Sequence, residues 1–189
     1  MKKLFIVALV ALSATAANAQ TKYMTRTGQV SFFSHTSMED IKAVNNQVSA
    51  VLDPSTGSLA YTVLIKSFQF EKALMQEHFN ENYMESDKYP KATFTGKVKD
   101  MSGVDLTKDG DYKVEVEGNL TMKDKTNQVS VPGTVSVKDG KVETKTKFNV
   151  KPQDYNIEIP AVVKEKIAQD IEVTVDVAMA PMGAATGSK

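Results

Sequence analysis

Residues 111–122 read DYKVEVEGNLTM, and their alternation decides the fold. Tyr112, Val114, Val116, Leu120 and Met122 fall on one face, and Lys113, Glu115, Glu117, Asn119 and Thr121 on the other. A period of two belongs to a strand with one face in water and one face buried. The pattern spreads outward from there. NQVSVPGTVSVK (127–138) puts Val129, Val131, Val135 and Val137 together. Its central Pro132-Gly133 marks a bend, a bulge or an edge position, because proline cannot donate to a ladder. DGK (139–141) is a hairpin turn signal and leads into KVETKTKFNV (141–150), with Val142, Phe148 and Val150 on one side. DIEVTVDVAM (170–179) aligns Ile171, Val173, Val175, Val177 and Met179. Upstream, NQVSAVLDPSTGSLAYTVLIK (46–66) reads as two strands around the turn Asp53–Gly57, and GQVSFFSHT (28–36) and KATFTGKVK (91–99) are further strands. The total is about eight strands.

Helix signals are few. SFQFEKALMQEHFNENYM (67–84) spaces Phe70 and Leu74, then Met75, Phe79 and Tyr83, by fours, which predicts one broad helical face. PAVVKEKIAQ (160–169) predicts a short helix with proline at its first position. SMED (37–40) nearly has capping-box spacing and suggests one more helical turn. The fold class is therefore all-β and antiparallel, a sandwich or a closed barrel, which periodicity alone does not separate. The inward faces of residues 112–179 are mostly valine, and the chain has no tryptophan. An eight-stranded barrel is just wide enough to fill with side chains or hold one ligand, and valine fills it less well than leucine or phenylalanine.

The ends of the chain differ from this body. Lys2 and Lys3, the apolar run Leu4–Leu12 and the small residues Ala17-Asn18-Ala19 have the three-part pattern of a secretory signal. Residues 1–19 are expected to be cleaved, leaving a barrel domain over 20–180 and a flexible tail over 181–189. That implies an exported protein, periplasmic or secreted. No cysteine occurs, so neither a disulfide nor a lipidated cysteine is available, and the hydrophobic core must hold the domain together. The full chain carries 23 basic and 23 acidic residues; losing Lys2 and Lys3 leaves it about −2. Such a balance offers no basic patch for nucleic acid. No later run is long and apolar enough for a transmembrane anchor.

Catalytic signatures are missing. His35 and His78 are the two histidines, and a transition-metal site needs three or four ligands, so no metal and no cofactor is assigned. There is no G-x-S-x-G elbow, no G-x-G-x-x-G and no P-loop. Glu77, Glu81 and Glu85 are spaced by fours, which puts them on one solvated face if the helix continues. The chain reads as a non-enzyme. An exported hydrolase would need an acid–base cluster, and altering Glu77 or Glu81 would then abolish its activity.

Three segments carry a resemblance: HFNENYMESDKYPKATFTG (78–96), VEGNLTMKDKTNQVSVPGTV (116–135) and KFNVKPQDYNI (147–157). Together they resemble the YceI-like family, with a helix, an aromatic loop ending in Tyr89-Pro90, a strand bearing Phe94, a Gly118-x-Leu120-Thr121 strand and a Phe148-x-Val150 strand. The resemblance covers about residues 22–180. It implies a secreted or periplasmic lipocalin-like antiparallel barrel of eight strands, with one or two short helices at its mouth, that binds polyisoprenoids or other long amphiphiles. Two places depart from the pattern. RTGQVSFFSHTSMEDIKA (26–43) is only loosely similar, so His35 receives no role, and MKDKTN (122–127) replaces a hydroxyl–histidine–glycine step with a more polar hairpin.

The resemblance also implies that residues 70–90 border the open end of the barrel. Physical chemistry agrees, because Leu74, Met75, Phe79 and Tyr83 need apolar surface to bury against. Phe32, Phe68, Phe70, Leu74, Phe79, Tyr83, Phe94, Leu120, Phe148 and Tyr155 are the candidate apolar lining. The expected partner is a long-chain amphiphilic lipid with an isoprenoid, quinone or fatty acyl chain. The competing account is an exported interaction barrel with a filled core and no small-molecule ligand. A homodimer is compatible with either.

Overall fold

The computed structural model describes residues 21–182. The expected signal segment at 1–19 lies outside them, as does most of the expected tail. Two residues assigned to it, Pro181 and Met182, are described and are held by the barrel. The last strand runs to Pro181, which pairs with Tyr23, and the Met182 N–H donates to the Lys22 carbonyl at 2.6 Å.

Eight strands close into a ring. In chain order they are β1 (Tyr23–His35), β2 (Asp40–Asp53), β3 (Ser58–Leu64), β5 (Lys91–Val98), β6 (Gly110–Met122), β7 (Lys125–Lys138), β8 (Lys141–Val150) and β9 (Ile171–Pro181). Around the barrel the order is β1-β9-β8-β7-β6-β5-β3-β2, and β1 also pairs with β2, so no strand of the ring is left at a free edge. Every pairing is antiparallel. Alternation alone left sandwich and barrel open; the pairing of β1 on both sides resolves it as a barrel. A ninth strand, β4 (Gln69–Phe70), was not legible in the sequence and is two residues long, paired to β2 at Ala43 and Val44.

β2 changes partner from β3 to β4 near Asn45. Its side-chain amide, fully buried, donates to the Leu64 carbonyl at 2.7 Å and accepts the Gln47 N–H at 2.8 Å. It thereby satisfies the backbone groups left over where the ladder breaks.

The turns agree with the residues that form them. Asp139 and Gly140 both have positive φ, 50° and 71°, as a two-residue hairpin between β7 and β8 requires. Gly57 (φ 70°) ends the turn between β2 and β3. Pro132 proves to be an edge position: β7–β8 pairing ends at Gly133↔Thr146, and Thr146 donates its hydroxyl to the Pro132 carbonyl at 2.7 Å.

Three helical expectations need correction. Residues 37–40 form no helix; the Thr36 hydroxyl accepts the N–H groups of Met38 and Glu39 at 3.2 and 3.1 Å and closes the β1–β2 connection. Residues 160–169 hold a single 3-10 turn, Ala161–Val163, with Pro160 just before it. β-branched valines support a longer helix poorly. The helix after β4 is short: α1 covers Ala73–His78 and widens into a π turn over Phe79–Tyr83. Glu85 then adopts positive φ (48°) and leaves the helix path, so it does not share a face with Glu77 and Glu81.

A smaller core cluster, Ile65, Met84 and Ala92, lies under the connection after β3, and much of the larger one gathers at the opposite end. Leu52, Val142 and Val177 are fully buried there, beside Leu59, Val135, Val137 and Met179. Val104 and Leu106, from the connection between β5 and β6, pack against this cluster, and the Tyr112 hydroxyl ties that connection down by donating to the Asp105 carbonyl at 3.0 Å.

Candidate functional site

Toward the other end the barrel is hollow. A cavity of about 570 Å³ runs inward from that mouth. Its walls are the inward residues of the strands: Val114, Val116 and Leu120 of β6, Val129 and Val131 of β7, Phe148 of β8, and Val173 and Val175 of β9. These side chains point inward yet remain half-accessible, because the surface they expose faces the cavity. Their counterparts at the plugged end are fully buried.

A glycine pair keeps the lumen open. Gly96 of β5 faces Gly118 of β6, and the Phe94 ring lies over both. A Cβ at Gly118 would sit 2.6 Å from the Gly96 Cα and 2.7 Å from the tip of Phe94. With no side chain at either position, the ring lies against the wall. This accounts for the glycine in the Gly-x-Leu-Thr strand.

Nine of the ten candidate residues line the cavity: Phe32, Phe68, Phe70, Leu74, Phe79, Tyr83, Phe94, Leu120 and Phe148. Four of them form one cluster at the mouth. Phe32 of β1 lies 5.4 Å from Phe68, 5.7 Å from Phe70 and 5.5 Å from Phe79, and Phe70 and Phe79 are 5.1 Å apart, all between ring centroids. Each such pair contributes about 0.5–1.5 kcal/mol beyond its buried area. The cluster fastens the segment 68–79 to the rim, so Phe68 serves packing first. Leu74 is largely exposed at the rim, and desolvation raises the Tyr83 hydroxyl above the ordinary tyrosine range.

Tyr155 is placed elsewhere. It sits at the end of a 3-10 turn, Pro152–Tyr155, outside the main cavity, where β7 and β8 have parted. It is buried in that gap beside Asn127, whose amide donates to the Asp154 carbonyl at 2.7 Å, and burial pushes its hydroxyl up. The cause is the local turn: it folds back over the end of β7 and so directs the side chain into the wall instead of the lumen.

Sequence reasoning missed two groups of lining residues. Ile157, Ile159, Val163 and Ile167 belong to the connection between β8 and β9 and cover the mouth opposite α1. Val163 and Ile167 lie in the stretch read as a short helix, and nothing local in the sequence points that stretch, or Ile157 and Ile159 before it, toward the cavity. Tyr61 of β3 and Thr144 of β8 also line the cavity, and their hydroxyls are 2.7 Å apart. Tyr61 was hidden by an ordinary strand pattern; its burial raises its pKa to about 12, against which the Thr144 hydrogen bond acts weakly.

The rim carries mixed charge. Lys72 pairs with Glu39 at 3.1 Å, joining α1 to the β1–β2 connection, and His78 and Lys166 also border the opening. Behind α1 the chain is pinned more firmly. Met84 and Ser86 are buried, Lys66 pairs with Asp87, and Glu85 pairs with Lys123 of the β6–β7 turn. That lysine lowers the Glu85 carboxyl below its ordinary range. Lys123, almost wholly buried, and Lys88 also lie 5.8 and 4.8 Å from the Tyr89 ring, a cation–π arrangement.

His35 bonds Asp40 through its Nδ1 at 2.6 Å on the surface. Among the described residues no three His, Asp or Glu side chains converge as a metal site would require. Nor is any described helix long and apolar enough to cross a membrane.

Comparisons with known proteins agree with this architecture. The barrel is similar to a polyisoprenoid-binding domain from Saccharophagus degradans implicated in plant cell wall breakdown, with a TM-score of 0.75, 16% identity, and coverage of 85% of this chain and 98% of that one. It is similar to BcnA of Burkholderia cenocepacia (TM-score 0.68, 20% identity, 81% and 96% covered). It is also similar to the YCEI protein of Campylobacter jejuni (TM-score 0.59, 21% identity, 76% and 86% covered). A search of curated proteins returned no match. The YceI-like domain model matches residues 18–179, and the chain therefore belongs to the YceI-like family.

Proposed function

We propose that this chain is an exported, non-enzymatic lipid-binding protein that holds one long-chain amphiphile in its barrel. The cargo is a polyisoprenoid, a quinone or a fatty acyl chain. One observation carries the reading: a cavity of about 570 Å³ whose lining residues are about two-thirds valine, leucine, isoleucine, methionine and phenylalanine. Such a space excludes water from an apolar tail, and each methylene moved into it contributes about 0.8 kcal/mol. The tail alone supplies affinity, and the polar head stays near Lys72, His78 and Lys166 at the rim. A filled-core interaction protein has no use for a hollow of this size. The similarity to a polyisoprenoid-binding domain supports the same class of cargo. The amino-terminal pattern of residues 1–19 supports export to the periplasm or beyond.

Native mass spectrometry of the mature protein, purified from its own host and then extracted with solvent, tests the reading. A co-purifying mass that extracts as a prenyl or acyl chain is expected. A clean apo mass, with no uptake of added quinones, polyprenols or fatty acids, would sink it.

A further inference from the structure

We infer that the hydrogen bond between Tyr61 and Thr144 is a crossbar forming the floor of the cavity, and that it limits the length of apolar chain the barrel accepts. The inference rests on the lipid-binding reading and goes beyond it by assigning specificity to two residues.

Topology supplies the first argument. In the ring β1-β9-β8-β7-β6-β5-β3-β2, strands β3 and β8 are four steps apart in either direction, so they are opposite walls. The Tyr61 phenol spans the lumen, and its hydroxyl meets Thr144 Oγ1 at 2.7 Å.

The depth of the pair supplies the second. Leu59 and Val142 are one inward step from Tyr61 and Thr144 toward the plugged end, and both are buried. Thr144 pairs with Val177, whose side chain is fully buried, and Val142 pairs with Met179. Below the crossbar Leu52, Leu59, Val98 and Val135 still border the cavity but are at most 4% exposed, so the space pinches off there, and the half-exposed walls begin above it.

Hydrogen-bond accounting supplies the third. Thr144 donates its hydroxyl to the Val177 carbonyl at 3.4 Å, which leaves its oxygen to accept from Tyr61. Both protons of the crossbar are thus occupied, and a methyl end can rest against it without stranding a donor. Two other lining hydroxyls are held against the wall: Ser34 accepts the Ala168 N–H at 2.9 Å, and Thr146 donates to the Pro132 carbonyl at 2.7 Å. A polar bar whose protons are satisfied internally suits a cargo that enters tail first.

The test measures affinity for saturated fatty acids of increasing length, by displacement of a fluorescent acyl probe, for wild type, Tyr61→Ala and Thr144→Ala. Folding of each variant is checked by circular dichroism. Wild-type affinity is expected to rise about fourfold per methylene and then level off. Truncating Tyr61 at Cβ makes room for roughly four more methylenes, and the levelling point moves to longer chains by about that number. Thr144→Ala moves it the same way by less. A folded Tyr61→Ala protein that levels off where the wild type does overturns the inference; should that variant fail to fold, an unmoved levelling point in Thr144→Ala does so. Failure of the wild type to bind any chain would overturn the lipid reading itself, a result distinct from binding with an unmoved limit.

Discussion

The two ends of this barrel are built from the same strands and do opposite things. At one end Leu52, Val142, Val177 and Met179 meet in a dry plug, and the strands are joined mostly by short turns such as Asp53–Gly57 and Asp139-Gly140. At the other end the same alternation leaves inward valines facing empty space, and two long connections, residues 65–90 and 151–170, arch over the opening. The alternating pattern determines which side chains point inward. Valine lines both ends, so its bulk alone does not decide whether they touch: at the plug Leu52, Leu59, Met179 and the connection residues Val104 and Leu106 fill the space between the valines, while those of the other half face the cavity.

The largest expected effect comes from breaking the plug. Leu52→Ala should destabilise the protein by about 2–5 kcal/mol in urea unfolding, because the site is fully enclosed. Leu74→Ala, at the exposed rim of the mouth, should stay within about 0.5 kcal/mol. Equal costs at the two sites would abolish the distinction between the ends.

A smaller effect comes from filling the hollow half. Gly118→Ala places a methyl against Gly96 and the Phe94 ring, and should cost about 1–3 kcal/mol by overpacking while weakening binding of an acyl probe. Unchanged binding would show that Phe94 does not need to lie flat.

The next contrast is one of pH. Tyr61 is raised to about 12 from an ordinary 10.0, so its neutral form is favoured by folding. The stability this represents is present below pH 10 and falls as pH rises from there toward 12. Phenolate absorbance should therefore show one tyrosine titrating late and together with unfolding, a phase absent from Tyr61→Phe.

The smallest expected effect concerns the pinned back of the lid. Glu85 has its carboxyl lowered by Lys123, so the pair stabilises the fold above the ordinary carboxylate range, and that contribution is lost as pH falls through the depressed value. Glu85→Gln should lower the melting temperature slightly at neutral pH and leave it unchanged in acid, where the pair is already lost, so that this part of the acid limb flattens; the change is small because the carboxylate is at the surface.

Much of this was legible in the sequence because strand faces are local. Tyr112 to Met122 announce their own orientation, and the wall of valines already suggested a space. Closure was not legible, since it depends on Tyr23–His35 finding both β2 and β9 at long range. The site was legible where aromatics stood out against polar neighbours, as at Phe79 and Tyr83. It failed at Tyr155, whose direction is set by one 3-10 turn, and at Ile157–Ile167, where the expected helix reduces to one turn and only the closed ring sets which side chains meet the cavity. Tyr61 and Thr144 were invisible for another reason: 83 positions separate them, and only the closed ring brings them together.

The parting of β7 and β8 has a dynamic consequence. Beyond Gly133↔Thr146 these strands no longer share a ladder, whereas β6–β7 and β8–β9 continue to Met122↔Lys125 and Val150↔Ile171. The gap is bridged instead by the 152–155 turn, held through Asn127. Amides of residues 126–131 that point away from β6 therefore lack the neighbour that protects the lower half of the same strand. In a hydrogen–deuterium exchange experiment they should exchange through a local opening, while residues 133–138 wait for global unfolding. The wall then consists of two cooperative units joined along a seam, and the barrel breathes along that seam.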